Sequence, residues 1–201
     1  MMSTIFFSTI NITEFKDQVP LPRKFENTNR NASYFSAREC LSKIFKHEKL
    51  SQKSFEEIEV TDFHKELNHP SVTVSLAHTK TFAIATVAYN NQLKGLGVDI
   101  EHQERKIKDD SLKYFKNDFD VTGLSTLELW CVKEACYKAL SNSGHEVKLL
   151  KDVIIHKDMF YLENKKDTIF AQFQIIKINE HIIVIAYVLN EYKTVDIKRV
   201  E

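Results

Sequence analysis

The sequence predicts an α+β fold with two similar subdomains, each a helix packed on antiparallel strands, related by a pseudo-two-fold axis. Two observations predict this class: a helical segment is followed by short strands in the first half of the chain, and the same order returns in the second half. A third observation is the lack of a linker, because the 201 residues include only 4 Gly and 3 Pro and no Ser-, Gly- or Pro-rich stretch.

The boundary between the halves is predicted near residue 95, with an N-terminal half over residues 1–95 and a C-terminal half over residues 96–201. Because no linker separates the halves, we expect them to pack against each other along a shared cleft. Residue-by-residue similarity between the halves is weak, so a single mixed domain without internal symmetry is the alternative.

The elements of the first half follow from two patterns. From about residue 33 to residue 49, apolar residues recur at the helical steps of three and four: Tyr34, Ala37, Leu41, Ile44 and Phe45. From Val72 to Ala77 apolar and polar residues alternate, and a second strand from Phe82 to Tyr89 follows the short connection Thr79-Lys80. We therefore expect one helix and one antiparallel hairpin, with a turn at Asn90-Asn91 after them.

The second half is predicted to start its helix at Ser125. The run Ser125-Thr126-Leu127-Glu128 is a capping box, in which each side chain can satisfy an orphan backbone amide. We expect this helix to end before Gly144. Three strands follow, near residues 151–156, 168–177 and 181–189, with Asn179-Glu180 as the turn of the last hairpin.

Composition limits the classes of partner. Lys plus Arg and Asp plus Glu both number 28, so the net charge gives no indication of a nucleic-acid or membrane-surface partner. Three Cys residues without metal-type spacing, no basic leader and no apolar run long enough for a membrane span favour a reducing, intracellular setting. We therefore expect a soluble cytoplasmic protein with neither a membrane nor a nucleic-acid partner.

Two carboxylates lie two residues apart in the run Gly-Val-Asp-Ile-Glu, on a strand predicted over residues 96–101. Side chains at positions i and i+2 of a strand leave the same face, so Asp99 and Glu101 can share one cation. Mg²⁺ suits such a pair because it accepts carboxylate oxygens and keeps waters and substrate phosphates as its other ligands. The alternative is a solvated strand end whose acids only keep the edge soluble.

A second group of polar side chains lies on the predicted helix. One helical face carries Trp130, Glu134, Tyr137 and Lys138, while Lys133 projects from a stripe about 100° away. Glu134 can complete a three-carboxylate metal set, and Lys138 can bind a phosphate as a point charge. The alternative is an ordinary surface ion pair between Glu134 and Lys138, which stabilises a helix by a few tenths of a kcal/mol.

Together the two segments form the pattern Gly-Val-Asp-x-Glu, a spacer, and Trp-x-x-Lys-Glu-Ala-x-x-Lys, which resembles the signature of the 4′-phosphopantetheinyl transferase superfamily. The similarity covers residues 29–189 and the length resembles the long surfactin-type members, which implies a monomer. The resemblance implies transfer of phosphopantetheine from coenzyme A to a serine of an acyl or peptidyl carrier protein. It also implies a Mg²⁺ site formed by Asp99, Glu101 and Glu134, with Mn²⁺ as the alternative ion, and contact of Lys138 with a coenzyme A phosphate.

A further coenzyme A contact is implied at the end of the first predicted hairpin strand. The run Ser75-Leu76-Ala77-His78-Thr79 resembles the family's Ser-x-Ser-His-Ser segment, whose histidine touches a coenzyme A phosphate. His78 matches, Ser75 and Thr79 retain hydroxyls, and Ala77 departs from the pattern. Without the resemblance, a lone histidine at a hairpin end is more often structural.

The first helix is expected to supply an arginine. The run Phe-Ser-Ala-Arg that ends at Arg38 resembles the family's Gly-Arg stretch, with alanine for glycine, so Arg38 or Arg30 is expected to hold the 3′-phosphate. The alternative for both is a solvated helix face. Lys133 belongs to the same set of expected coenzyme A contacts. Asp118 or Asp120 is the candidate for an extra acid that many long members carry.

The implied reaction is attack by the serine hydroxyl of the carrier protein on the β-phosphorus of coenzyme A, with 3′,5′-ADP as the leaving group. Glu134 and a metal-bound water are the two candidates for the base. The basic run Arg105-Lys106-Ile107-Lys108 follows the acids and is a candidate docking surface for an acidic helix of the carrier, with a plain solvated loop as the alternative.

Two other classes stay open. In a metal-dependent nuclease we would expect a lysine two residues after Glu101, where this chain has Gln103, and the neutral charge balance also disfavours a nuclease. A catalytically degenerate protein that binds coenzyme A or a nucleotide without chemistry would tolerate loss of Asp99. A transferase would lose several orders of magnitude in rate.

Overall fold

The computed structural model describes residues 3–18, 20, 24–54, 57, 60–62, 65–67, 72–89, 91–163, 170–191 and 193–201. Within these residues the strands are β1 (Ser3–Asn11), β2 (Val60–Asp62), β3 (Lys65–Leu67), β4 (Val72–His78), β5 (Phe82–Tyr89), β6 (Leu93–His102), β7 (Val153–His156), β8 (Met159–Leu162), β9 (Phe170–Ile178), β10 (His181–Leu189) and β11 (Val195–Arg199). The α-helices are α1 (Ile12–Gln18), α2 (Thr28–His47), α3 (Leu112–Phe115) and α4 (Thr126–Asn142). No helix in the described part of the chain is both long enough and apolar enough to cross a membrane.

Two larger sheets and four α-helices confirm the predicted α+β class. The first sheet has the order β11-β1-β5-β4, in which β11 runs parallel to β1 and the other pairs are antiparallel. The second sheet has the order β6-β10-β9-β8-β7 and is antiparallel throughout. Strands β2 and β3 form a separate pair. Strand β11 follows the strands of the second sheet in the chain but pairs with β1 in the first sheet, so the C-terminal segment returns to the first sheet. The predicted boundary near residue 95 falls inside β6.

Three apolar clusters set the order of the layers. Helix α2 packs on one face of the first sheet, with Leu41 at its centre. Helix α4 packs on the outer face of the second sheet, with Val132 at its centre. The inner faces of the two sheets enclose the third cluster, in which Ile84 of β5 lies with Ile185 of β10. The protein therefore has four layers in the order helix, sheet, sheet, helix, and β10 is buried along its whole length because both of its faces are covered.

Both predicted helices are confirmed. Helix α2 starts earlier than predicted, because the Asn27 side chain caps it by accepting a hydrogen bond from the backbone N–H of Arg30 at 3.0 Å. Helix α4 begins after Ser125 with the predicted capping box and ends before Gly144.

The predicted hairpins are confirmed as β4–β5 and β9–β10, and the strand that carries the paired acids is confirmed as β6. The strand predicted near residues 151–156 begins only at Val153, because Leu150–Asp152 form a 3₁₀ turn. Asn90 of the predicted turn and residues 168–169 of the predicted strand lie outside the described residues. The sequence patterns did not predict the strands β1, β2, β3, β8 and β11 or the helices α1 and α3.

Glu128 stabilises the start of α4. Its Oε2 accepts hydrogen bonds from the backbone N–H and the hydroxyl of Ser125, at 3.0 and 2.8 Å, and its Oε1 lies 2.9 Å from Lys177 Nζ. The bond from Lys177 and those from Ser125 lower the pKa of Glu128 from 4.5 to about 2. Since the pKa is lowered in the folded state, the stabilisation is present above pH 4.5 and is lost as the pH falls towards 2.

Glu128→Gln is expected to lower the free energy of unfolding at pH 7 by about 1 kcal/mol, because the amide loses the charge-assisted bonds to Lys177 and Ser125. Urea unfolding at pH 7 and at about pH 3 measures the effect, and the difference from wild type should be smaller at the lower pH. Glu146→Gln, at an exposed glutamate, is the matched control and should change neither value. A difference that grows towards acid pH would contradict this assignment.

Candidate functional site

Strand β6 and helix α4 approach each other closely because glycine stands at two positions of the strand. A Cβ atom on Gly95 would lie 2.1 Å from the carbonyl oxygen of Ala139, and one on Gly97 would lie 2.0 Å from that of Ala135. Real Cβ atoms essentially never approach backbone atoms this closely, so any side chain here would force the helix away from the strand. The two glycines therefore set the distance between side chains of β6 and side chains of α4.

Asp99 and Glu101 follow Gly97 on the same face of β6 and point towards α4. Both are buried, with 9% and 8% of their surface exposed, so the alternative of a solvated strand end is wrong. Lys138 Nζ donates to Asp99 Oδ1 at 3.0 Å and to the carbonyl oxygen of Val98 at 2.8 Å. In the described part of the chain, the buried Asp99 Oδ2 has no partner at ordinary hydrogen-bond distance, and besides Lys138 a weak bond from the Cys131 thiol reaches the Asp99 carboxylate. A buried carboxylate oxygen without a partner is unfavourable, and a bound cation would satisfy it.

Glu101 is held by two donors. Its Oε1 accepts hydrogen bonds from the guanidinium of Arg105 and, at 3.2 Å, from the indole Nε1–H of Trp130. The guanidinium carbon of Arg105 lies 5.4 Å from the centre of the Trp130 ring, which packs edge-on against Phe115 at 5.2 Å. The indole, fixed by Phe115, therefore fixes the orientation of the Glu101 carboxylate.

Glu134 is half-buried on the face of α4 that meets these acids. Burial raises the pKa of both Glu101 and Glu134, and the negative charge of Asp99 raises both further, although Arg105 opposes the rise. The pKa of Glu134 is also lowered by Lys138. The three carboxylates are therefore close enough to repel one another, which is the electrostatic condition for binding a cation.

Lys138 pairs with Asp99 across the two elements and is only 12% exposed in its side chain. Lys138 therefore forms a largely buried ion pair with Asp99, and not an exposed ion pair with Glu134. The neighbouring Cys131 thiol is buried and donates to the carbonyl oxygen of Ile182 at 3.8 Å. Its pKa lies well above its ordinary value because burial and the Asp99 charge disfavour the thiolate, so Cys131 contributes no negative charge to the site.

Among the described residues, no three His, Cys, Asp or Glu side chains are gathered as the ligands of one metal ion. The donor types nevertheless fit a hard divalent cation, since Asp99, Glu101 and Glu134 offer only carboxylate oxygens and Asp99 Oδ2 is unpartnered. Two of the three acids are instead engaged by protein cations, Asp99 by Lys138 and Glu101 by Arg105. The three acids would therefore have to exchange these partners to act as one ligand set.

Lys133 lies fully buried on the neighbouring stripe of α4. Its Nζ donates to Asp120 Oδ1 at 2.8 Å and to the carbonyl oxygen of Val153, and the same Asp120 oxygen accepts from the backbone N–H of Ile155 at 2.9 Å. Burial lowers the pKa of Lys133, and the Asp120 charge opposes this. The Lys133–Asp120 pair links α4 to β7 at the edge of the second sheet, away from Asp99 and Glu101. Asp118, the other candidate for an extra acid, is exposed.

The polar residues of β4 lie beside β6, although no contact joins them to the three acids in the described residues. The Ser75 hydroxyl accepts a hydrogen bond from the backbone N–H of Val98 at 3.0 Å, next to Asp99. His78 is exposed at the end of β4, and its Nδ1–H donates to the carbonyl oxygen of Thr79 at 3.1 Å. Ser75 thus braces the strand that carries the acids, and the predicted contact of His78 with a phosphate stays a prediction.

The two arginines of α2 lie on the opposite side of the first sheet from the second sheet. Arg30 is exposed, and its guanidinium carbon is 4.3 Å from the centre of the Phe25 ring. Arg38 is buried over the ring of Tyr34 at 3.2 Å and donates to the Tyr34 carbonyl oxygen at 3.1 Å. The first sheet therefore separates both arginines from the second sheet, which carries Asp99 and Glu101, and their contact with a 3′-phosphate stays a prediction.

A cleft of about 530 Å³ opens beside Arg105, the ion-pair partner of Glu101. Arg105 and Lys177 contribute positive charge to its wall, and Ile107 contributes apolar surface together with residues of β10 and the start of α4. Lys106 and Lys108 of the predicted docking segment are exposed. The segment is therefore more than a solvated loop, because Arg105 is bonded to Glu101 and Ile107 packs against the core under α4.

Two contributors to the site were missed in the sequence. The helical spacing puts Trp130 on the correct face of α4, but nothing in a single sequence indicates that its indole binds Glu101. The sequence pattern assigns Arg105 only to a docking surface, although a basic residue soon after two clustered acids is a usable signal for a counter-ion.

Two ion pairs, Asp99 with Lys138 and Glu101 with Arg105, thus lie where β6 packs on α4, and the charge of Glu134 interacts with that of Asp99. If the acids exchanged these partners, their carboxylate oxygens would suit a divalent cation, and Lys138 would suit an oxygen of a phosphate. No protein-family model and no curated protein matches this sequence.

Proposed function

We propose that this chain is a Mg²⁺-dependent 4′-phosphopantetheinyl transferase that moves phosphopantetheine from coenzyme A to a serine of an acyl or peptidyl carrier protein. The observation that carries the proposal is the packing of Gly97 directly on α4, which holds Asp99 and Glu101 beside Glu134 and Lys138. The two parts of the sequence pattern are distant in the chain, and the ion pair between Lys138 and Asp99 joins them.

Each residue of the site has a separate role in the proposed reaction. Asp99, Glu101 and Glu134 would hold the cation, with Mn²⁺ as the alternative to Mg²⁺. Such a cation, when bound, neutralises the negative charge of the diphosphate and of its leaving group. Lys138 Nζ, already 3.0 Å from Asp99 Oδ1, donates to a phosphate oxygen at the same place. Trp130 keeps the Glu101 carboxylate oriented through its indole N–H.

In the proposed transfer, the serine oxygen of the carrier protein forms a bond to the β-phosphorus of coenzyme A. The bond from that phosphorus to the oxygen of 3′,5′-ADP breaks, and 3′,5′-ADP leaves with the electron pair. The serine proton passes to a base within hydrogen-bond reach, for which Glu134 is the candidate on α4. Lys138 contributes positive charge that stabilises the phosphate oxygens as the bonds exchange.

We propose further that the two halves are related by a pseudo-two-fold axis. The order strand, helix, strand, strand occurs twice, as β1-α2-β4-β5 and as β6-α4-β9-β10, when the intervening elements α1, β2 and β3 of the first half and α3, β7 and β8 of the second are left out. In both halves the first strand pairs antiparallel with the last, and the last pairs with the third. A chain that contains both halves needs no second subunit to complete its cleft, which supports a monomer. The acceptor of the proposed reaction, an unmodified carrier protein, would be met in the cytoplasm.

One observation favours a second candidate, a protein that binds coenzyme A or a nucleotide without chemistry. Asp99 and Glu101 each already have a protein cation as partner, which a binding protein could use in place of a metal ion. The two candidates differ in one product, a carrier protein that has gained phosphopantetheine.

The test is the intact mass of a purified apo carrier protein after incubation with the full-length chain, coenzyme A and Mg²⁺. Gain of one phosphopantetheine group that is abolished by EDTA is the expected result. No gain with acyl, polyketide and peptidyl carrier proteins, together with measurable coenzyme A binding, would favour the second candidate.

A further inference from the structure

Arg105 stands between the carboxylate group and the adjacent cleft. On one side its guanidinium donates to Glu101 Oε1, the same oxygen that accepts from Trp130. On the other side it forms part of the wall of the cleft, and its side chain is 44% exposed. Arg105 is therefore a bound counter-ion that has open space next to it.

The two cations of the site differ in how firmly they are held. Lys138 is 12% exposed in its side chain and has two acceptors, Asp99 Oδ1 and the carbonyl oxygen of Val98. Arg105 is much more exposed, and of the carboxylates in its neighbourhood it bonds only to Glu101 among the described contacts. Arg105 is therefore the partner that can leave at the lower cost.

A divalent cation and a guanidinium cannot share Glu101 favourably. Both need the negative charge of the same carboxylate, and at contact distance in a partly buried site they repel each other. Trp130 Nε1–H carries no net charge, so it can stay on Glu101 when a cation approaches. Entry of the cation therefore requires Arg105, and not Trp130, to move away.

We infer that Arg105 is a displaceable counter-ion, which holds Glu101 in the absence of a divalent cation and turns into the adjacent cleft when the cation binds. This inference rests on the proposed function, which requires a cation at Asp99 and Glu101. It adds that Arg105 sets the affinity for that cation. Lys106 and Lys108, which are exposed and carry the same charge, have no such role.

Trp130 provides a direct reporter, because it is the only tryptophan of the chain. Its indole N–H bonds to Glu101 and its ring lies beside Arg105. The single indole N–H resonance of ¹⁵N-labelled full-length protein can therefore be titrated with MgCl₂ alone, without coenzyme A or a carrier. We expect it to shift in the wild type as Arg105 leaves the ring.

Arg105→Gln is expected to bind Mg²⁺ about tenfold more tightly than wild type, because the competing charge is gone. Arg105→Lys, which keeps a competing charge, should stay closer to wild type, and Lys106→Gln should change the affinity by less than about twofold because Lys106 is exposed. Thermal unfolding of each variant verifies that it is folded before titration.

The outcomes separate the two levels of the proposal. Equal or weaker Mg²⁺ binding by Arg105→Gln, in a folded protein, overturns the role of Arg105 and leaves the transferase to be judged by the carrier-mass experiment. Absence of Mg²⁺ binding in both wild type and Arg105→Gln overturns the cation site itself and the inference with it. An equal gain for Lys106→Gln reduces the effect to general surface charge and also overturns the inference.

Discussion

Asp99→Asn is expected to reduce the rate of phosphopantetheine transfer to an apo carrier protein about a thousandfold, which corresponds to about 4 kcal/mol of transition-state stabilisation. Asparagine has nearly the same size and keeps an oxygen that can accept from Lys138 Nζ, as Asp99 Oδ1 does at 3.0 Å. What it lacks is the negative charge that attracts a cation. Initial rates of carrier mass gain at saturating coenzyme A and Mg²⁺ measure the loss.

The same substitution should change the free energy of unfolding by less than about 1 kcal/mol. Lys138 loses a charged partner, but Glu101 and Glu134 lose the neighbour whose charge raises the pKa of each. Glu104→Gln, at an exposed acid close by, is the matched control and should transfer at the wild-type rate. A folded Asp99→Asn variant that transfers within tenfold of wild type would exclude Asp99 from the machinery of transfer.

The local sequence around the acids predicts the elements that carry them, but not how those elements meet. A strand with paired carboxylates and a helix with a capping box are each encoded within a few neighbouring residues, and both are confirmed as β6 and α4. Their close contact depends on Gly95 and Gly97 lying against the backbone of residues far along the chain. No local periodicity encodes such an approach, although two glycines that alternate along a strand are consistent with it.

The undetected strands have physical reasons of their own. Strand β1 is buried between β11 and β5 with apolar residues on both faces, so it has no alternating pattern to detect. Strand β11 is short and pairs with β1 from the opposite end of the chain. Helix α1 did have a local signal, since Asn11 Oδ1 accepts from the backbone N–H groups of Thr13 and Glu14, but seven residues are too few to show a helical period.

Lys133 shows that a lysine in a sequence motif need not contact the ligand. Its position on α4 correctly separates it from the face of Glu134, but the sequence does not indicate which residue it pairs with. In the structure its partner is Asp120, in the loop before the helix, and the two groups neutralise each other in the core. A lysine within a signature can therefore belong to the scaffold of the site, where loss of one partner leaves an unpaired buried charge.

Gly97→Ala is expected to lower the free energy of unfolding by about 3 kcal/mol. The added Cβ would lie 2.0 Å from the carbonyl oxygen of Ala135 and 2.6 Å from the backbone nitrogen of Ala139. Both are backbone atoms, so α4 must move away from β6 and open the core between them. Urea unfolding measures the loss, and Gly123→Ala, where a Cβ would meet nothing within 4 Å, should stay within about 0.5 kcal/mol of wild type.

Transfer by Gly97→Ala should fall further than the lost stability explains, because the shift of α4 carries Glu134 and Lys138 away from Asp99. A misplacement of about 1 Å costs about a hundredfold in rate when several groups must act on one phosphate. The assay is run at a temperature and urea concentration at which the variant is folded by circular dichroism. If the folded variant transfers at the wild-type rate, the spacing between β6 and α4 is structural only. If it also keeps wild-type stability, the direct packing of the helix on Gly97 is itself wrong, and the charged group must be assembled in another way.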